Sequence, residues 1–256
     1  MEPHATWFDF LPGFSTLREN LGSLLGRQWT WQVFQTTHFQ LDHVFGALVV
    51  VLFLTFGAVH FSRAVGRAGD AGLLPSRRFG LRALFEMLAD AIFNLMVSVM
   101  GEKTARRYLP IIGTYFFFIL FSNLLALIPG FLPPTDTLKT NLVLSIPIFL
   151  LTHYFGVREH GLKYFKHFLG PVWWLSWLML PIEIVSHLAR PVSLAMRLLG
   201  NIAADHAVVL AFFVIIPFLV PVPFLLMGVF VSLVQAVVFS LLATVYIDQA
   251  VAHEEH

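Results

Sequence analysis

The chain has 256 residues, 57% hydrophobic and only 12% charged, with a formal net charge of +1 and no cysteine. Soluble domains run about 45–50% apolar and about 25% charged, so this composition marks an integral membrane protein. Near-neutral charge argues against a nucleic-acid partner, which needs a concentrated basic face, and the missing thiols exclude disulfides, thiol catalysis and thiolate metal sites.

Residues 1–40, opening MEPHATWFDFLPGF, are mixed, aromatic and rich in turn signals. No basic stretch precedes an apolar core, so they do not read as a cleaved signal peptide; they predict an extracytoplasmic arm with one short helix. A spanning helix takes about 20 apolar residues, and the first lies over 43–62. A basic loop follows with Arg63, Arg67, Arg77, Arg78 and Arg82. Over 79–101 the polar residues Arg82, Glu86, Asp90 and Asn94 recur every fourth position. They share one drifting face, which predicts an amphipathic helix at the membrane interface, closed by Lys103, Arg106 and Arg107.

A second span is predicted over 109–130, ending in the turn-rich PGFLPPTDT, and a third over 141–157, short and interrupted by Pro147. Arg158, Lys163 and Lys166 form a second basic loop, then Pro171 and WWLSW enter the next segment as an interfacial aromatic belt would. The fourth apolar segment covers 171–216, and the fifth covers 222–247 after PFLVPVP, before the tail AHEEH. The chain thus divides into an arm (1–40), a first span with its basic loop and amphipathic helix (41–108), a second and third span with their loop (109–170), and a long terminal pair with a polar tail (171–256). No internal repeat or low-complexity stretch is present. Most Lys and Arg fall in the two basic loops and around 103–107, leaving Arg18, Arg27 and Lys139 opposite. By the positive-inside rule the loops are cytoplasmic, the N-terminus outside and the C-terminus inside. The expected fold is an all-α membrane protein of five crossings plus the interfacial helix.

The segment 171–216 has the wrong length. Wholly helical, it would reach roughly 69 Å at about 1.5 Å per residue, against a hydrocarbon core of about 30 Å. It is either a hairpin turning near Gly200-Asn201 or one strongly tilted helix; no proline or second glycine supports the turn, which favours the tilted helix. On a helical wheel Glu183, His187, Arg190, Arg197, Asn201 and Asp205 fall within about 80° of one another. Ser186 and Ser193 flank them, and His206 points to one side. A buried ion-pair seam of Glu183 or Asp205 with Arg190 or Arg197 is the bland explanation. It is weak in a membrane, where an arginine at the centre costs about 2.5 to over 10 kcal/mol, so the stripe points to ion transport. Arg197 lies about 21 Å along the axis from Glu183 and about 12 Å from Asp205. A guanidinium stays charged at every relevant pH, so it blocks a proton leak between polar zones on its two sides and attracts a partner's carboxylate. In the last segment Ser232, Gln235 and Tyr246 share a face, and Gln235 either bonds a neighbouring helix or positions the relay.

These residues carry a resemblance. FSNLLALIPGFLPPTDT (121–137), PIEIVSHLARPVSLAMRLLGN (181–201) and QAVVFSLLATVYI (235–247) resemble subunit a of the F-type ATP synthase membrane sector. The resemblance implies a non-catalytic, cofactor-free and metal-free stator subunit of a bacterial inner membrane. Its partners would be a rotor ring of c subunits, peripheral-stalk b subunits and lipid. It implies that Arg197 faces the ring's carboxylates, that Asn201 and Gln235 line the ion path, and that Glu183, with His187, serves a half-channel toward the cytoplasm. Leu199 stands where the family most often has phenylalanine, His206 where many members have glutamate, and Gly228 where several have an acid or histidine. Asp205, with His206 beside it, is the remaining candidate for the outer half-channel; Arg190, Ser232 and Tyr246 are secondary candidates. A haem or metal enzyme is the competing class, given eleven histidines. However, His153, His160 and His167 read as solvated residues around a charged loop, and His187 and His206 are too far apart to share a metal.

Overall fold

In a bilayer every backbone polar group must find its partner within the chain, which favours helices. The computed structural model describes residues 42–68, 80–128, 131, 133–161, 164, 176–215 and 221–252, together with Thr16 and Asn20, and every regular element among them is helical. The order is α1 (Asp42–Ala68), α2 (Leu81–Leu125), a 3-10 turn (Pro134–Asp136), α3 (Leu138–His160), α4 (Ser176–Ile215) and α5 (Pro221–Val251). Each of the five α-helices contains a stretch long and apolar enough to cross a membrane. Apart from Thr16 and Asn20, which are helical, the predicted arm lies outside the described residues, as do Lys163, Lys166 and most of the aromatic belt.

α2 is not one rod. Gly101 adopts φ +75° and ψ 162°, a region that only glycine enters without strain. Beyond it the chain folds back: the Phe85 ring lies 5.4 Å from Phe117 and 5.7 Å from Phe121, and the Arg106 guanidinium stands 5.6 Å over Phe93. The amphipathic segment is therefore the first leg of an antiparallel hairpin. Its polar side carries an Arg82–Glu86 bridge of 2.7 Å, while Ile92, Met96 and Met100 are buried on the other side. The second leg begins at Glu102, earlier than the span predicted from 109, and its helix ends at Leu125 rather than 130.

α3 also exceeds its predicted range. The Thr137 hydroxyl caps it by accepting from the Thr140 backbone N–H at 3.4 Å, and Gly161 at φ +59° ends it with Arg158 and His160 in the last turn. Those cations complement the negative end of the helix dipole. Pro147 lies inside without ending the helix, as packing against neighbours allows in membrane helices.

α4 resolves the length problem. It runs for 40 residues through Pro181, Pro191 and Gly200-Asn201 as one helix, so the hairpin alternative is not the one taken. The Asn141 side chain reaches the Ala195 carbonyl and His153 stacks on His187, so α3 runs antiparallel to α4. Asn201 meets Gln235 and Arg190 meets Tyr246, so α5 does the same. Leu194, Ala195, Leu198 and Ile202 face this groove and are buried with Phe116, Ile119, Ile148, Ala236 and Phe239. A second cluster joins Met100, Ala105 and Tyr108 near the hairpin tip to Phe155 of α3 and to Ile247 and Val251 of α5. An Arg107–Glu159 ion pair closes that end. The basic residues near 103–107 and 158–160 and the C-terminal end of α5 thus share one end of the bundle.

α1 packs near the 3-10 turn and through Phe53 on Phe121, centroids 5.1 Å apart. Farther along, an open apolar groove lined by Leu54, Gly57, Phe85, Leu109 and Phe117 separates it from the hairpin. Phe56 is 73% exposed, and many other apolar side chains of α1, α4 and α5 are exposed too; such a surface belongs in lipid.

Candidate functional site

The polar stripe on α4 lies along the edge of its buried face. His187 is buried and Glu183 and Arg190 are half-buried, whereas Arg197 and Asn201 are exposed on the flank. From α5, Ser232 and Gln235 are buried and Tyr246 is half-buried toward the same groove. Asn201 Nδ2 donates to Gln235 Oε1 at 2.5 Å, so of the two roles open to Gln235 in the sequence, the bond to a neighbouring helix is formed. Two turns below Arg197, the Arg190 guanidinium stands 5.0 Å over the Tyr246 ring. That geometry lets an arginine rest against an aromatic face in place of water. One turn farther, His187 Nδ1 lies 3.0 Å from the Glu183 backbone carbonyl and 3.4 Å from its carboxylate.

Arg197 is different. No described residue forms an ion pair or hydrogen bond with it, and its exposed neighbours on α4 include Ser193 and Met196. The ion-pair seam offered as the bland explanation is not formed among the described residues: Glu183 contacts His187, Arg190 lies on Tyr246, and Arg197 meets no carboxylate. Asp205 and His206 occupy helical positions two turns beyond Arg197, and their side chains lie outside the described residues.

Further contacts escaped the sequence analysis. His153 is a half-buried residue of α3, not a solvated loop histidine. Its ring stacks on His187 with centroids 5.4 Å apart and an interplanar angle of 30°, and its Nδ1 lies 2.8 Å from the Tyr164 hydroxyl. A small cleft lined by Ser145, Thr152, His153, His187, Arg190 and Tyr246 links these groups. Nearer Arg197, Asn141 donates to the carbonyls of Thr135 at 2.9 Å and Ala195 at 3.4 Å, while the Thr135 hydroxyl donates to Asn123 Oδ1 at 2.9 Å. This knot holds the PPTDT turn against the α4 turn that carries Arg197. A signal existed: Asn141, Ser145 and Thr152 fall within about 40° on one face of α3, a shorter and uncharged stripe. No group of three or more His, Asp or Glu suited to a metal ion occurs among the described residues.

Comparison with known proteins finds relatives over most of the chain. The family model for the ATP synthase A chain matches residues 41–248. ATP synthase subunit a 1 of Syntrophotalea carbinolica is 49% identical over 210 residues, 82% of this chain and 86% of the relative. ATP synthase subunit a of Trichlorobacter lovleyi is 49% identical over 169 residues, covering 66% and 73%. That of Desulfosudis oleivorans is 40% identical over 217 residues, covering 84% and 90%.

Proposed function

The chain belongs to the ATP synthase A chain family, and from that membership we propose that α4 and α5 form the stator side of a proton path built as two offset half-channels. The chain itself is a multi-pass, non-catalytic membrane-sector subunit of ATP synthase. A proton enters from the outer side through the half-channel near Asp205 and His206 and neutralises a carboxylate on a rotor ring of c subunits. Burial of that site in lipid then carries no charge penalty, so the ring can turn. After nearly a full revolution the site returns to Arg197, whose fixed charge favours the ionised carboxylate and expels the proton. The proton leaves toward the cytoplasm past Arg190, His187 and Glu183. The membrane potential supplies about 2.3 kcal/mol per charge per 100 mV.

One observation carries this reading. Arg197 sits exposed on the α4 flank with no acid among the described residues, while the polar groups toward Glu183 are already satisfied by neighbours. A permanent cation exposed on that flank is placed to receive a carboxylate from a partner. Ser232, Gln235 and Asn201 line the path beside it. The end shared by the basic residues near 103–107 and 158–160 and the α5 terminus supports a cytoplasmic C-terminus and an outer N-terminus, with peripheral-stalk b subunits and lipid covering the remaining apolar faces.

Arg197→Ala tests the reading in the assembled enzyme. Proton-coupled ATP synthesis is expected to vanish while the complex still assembles. Arg197→Lys should fail too, because a buried ammonium can release its proton where a guanidinium cannot. Coupling that survives Arg197→Ala would leave only a scaffold.

A further inference from the structure

The pair of stacked imidazoles from α3 and α4 is more than the proposed path requires. His187 Nδ1 faces two acceptors, the backbone carbonyl and carboxylate of Glu183, so that nitrogen carries a hydrogen and Nε2 is left to gain or lose the titrating proton. His153 Nδ1 faces the Tyr164 hydroxyl. A phenol can donate to a neutral imidazole and accept from a protonated one, so this contact holds in both charge states. Burial pushes the Tyr164 hydroxyl above its ordinary pKa, against a smaller opposing effect of Arg190, and it keeps its hydrogen. The ring is held closely: a Cβ on Gly156 would overlap it.

We propose that His153 and His187 act as one unit, a relay that holds a single proton and passes it from the cleft beside Arg190 to Glu183. This rests on the half-channel reading above and adds His153 and Tyr164, on a different helix, to its cytoplasmic arm. The pair stands about 15 Å along α4 from Arg197. Arg190 and Tyr246 lie on the Arg197 side, Glu183 on the side of Arg158 and His160, and Ser145 and Thr152 of α3 line the cleft. Two imidazolium ions at stacking distance, with Arg190 close by, would repel strongly, so the second proton does not bind until the first has left. Each transfer conserves protons. One arrives on a neutral imidazole as the ring carboxyl ionises, one passes to the Glu183 carboxylate, and one leaves Glu183 for cytoplasmic water.

The test uses the assembled enzyme in inverted membrane vesicles, whose medium is the cytoplasmic side. ATP synthesis under a fixed driving force is followed from about pH 5 to pH 8, the range in which imidazole changes charge. His153→Gln can still bond Tyr164 but cannot titrate. It is expected to slow synthesis severalfold and erase the inflection in that range. His187→Gln should do the same, and the double variant should be no slower than either single one, since members of one unit do not add. In His153→Ala, imidazole in the medium should restore part of the rate, and Tyr164→Phe should shift the inflection without removing it. An inflection retained in His153→Gln, losses that multiply in the double variant, or a His153→Ala enzyme indifferent to imidazole would each overturn the relay. These results leave the half-channels standing as long as Arg197→Ala remains uncoupled; coupling in Arg197→Ala removes the half-channels whatever the histidines do.

Discussion

The Asn201–Gln235 bond joins the two helices one turn from Arg197, and it joins an exposed residue to a buried one. Gln235 is 4% exposed, so removing its partner leaves a buried amide with one bond fewer. Such bonds between membrane helices average about 0.6 kcal/mol and reach about 1.7 kcal/mol. A double-mutant cycle over Asn201→Leu and Gln235→Leu is expected to return a coupling in that range by denaturant unfolding of the purified complex. Proton pumping should fall in both single variants. Zero coupling would mean that each amide satisfies itself elsewhere. Both amides were marked in the sequence by their place on polar faces. That they bond one another was not, because nothing local records which turn of α5 lies opposite which turn of α4.

At the scale of elements, Gly101 decides how α2 folds. Its φ of +75° with extended ψ costs other residues about 1–3 kcal/mol. Gly101→Ala is therefore expected to destabilise the purified complex by about that amount and to lower its thermal midpoint, although nothing lies within 4 Å of the added methyl group. An unchanged midpoint would show that the fold-back tolerates a side chain. The amphipathic period over 79–101 and the single long α4 were both legible, the first from polar residues every fourth position and the second from the lack of turn chemistry at Gly200-Asn201. The fold-back was not. A helical period says which side of a segment is apolar, not what covers it, and here the cover is Phe117 and Phe121, more than thirty positions along the chain. His153 escaped for a related reason. Counted as part of a charged loop it looks wet, but α3 runs on to His160 and carries it inside.

For the molecule as a whole, the arrangement of α3, α4 and α5 makes a statement about water. α4 lies antiparallel between its two neighbours and spans about 60 Å, with its polar groups divided by Arg197. Single cysteines are easily introduced, since the chain has none. Placed along 183–206 and 228–239, they are expected to react with water-soluble thiol reagents in two separate zones, one on each side of position 197. One unbroken reactive track past Arg197 would describe an open pore, and a pore could not drive rotation.

That Arg197 meets no acid among the described residues also bears on how the complex is put together. Alone in a bilayer, the chain must draw water and lipid headgroups inward to solvate Arg197, thinning the membrane around it. On the proposed reading, arrival of a partner's carboxylate would relieve that distortion. On the half-channel reading, a copy that never meets its partner keeps that distortion, which marks it as unassembled.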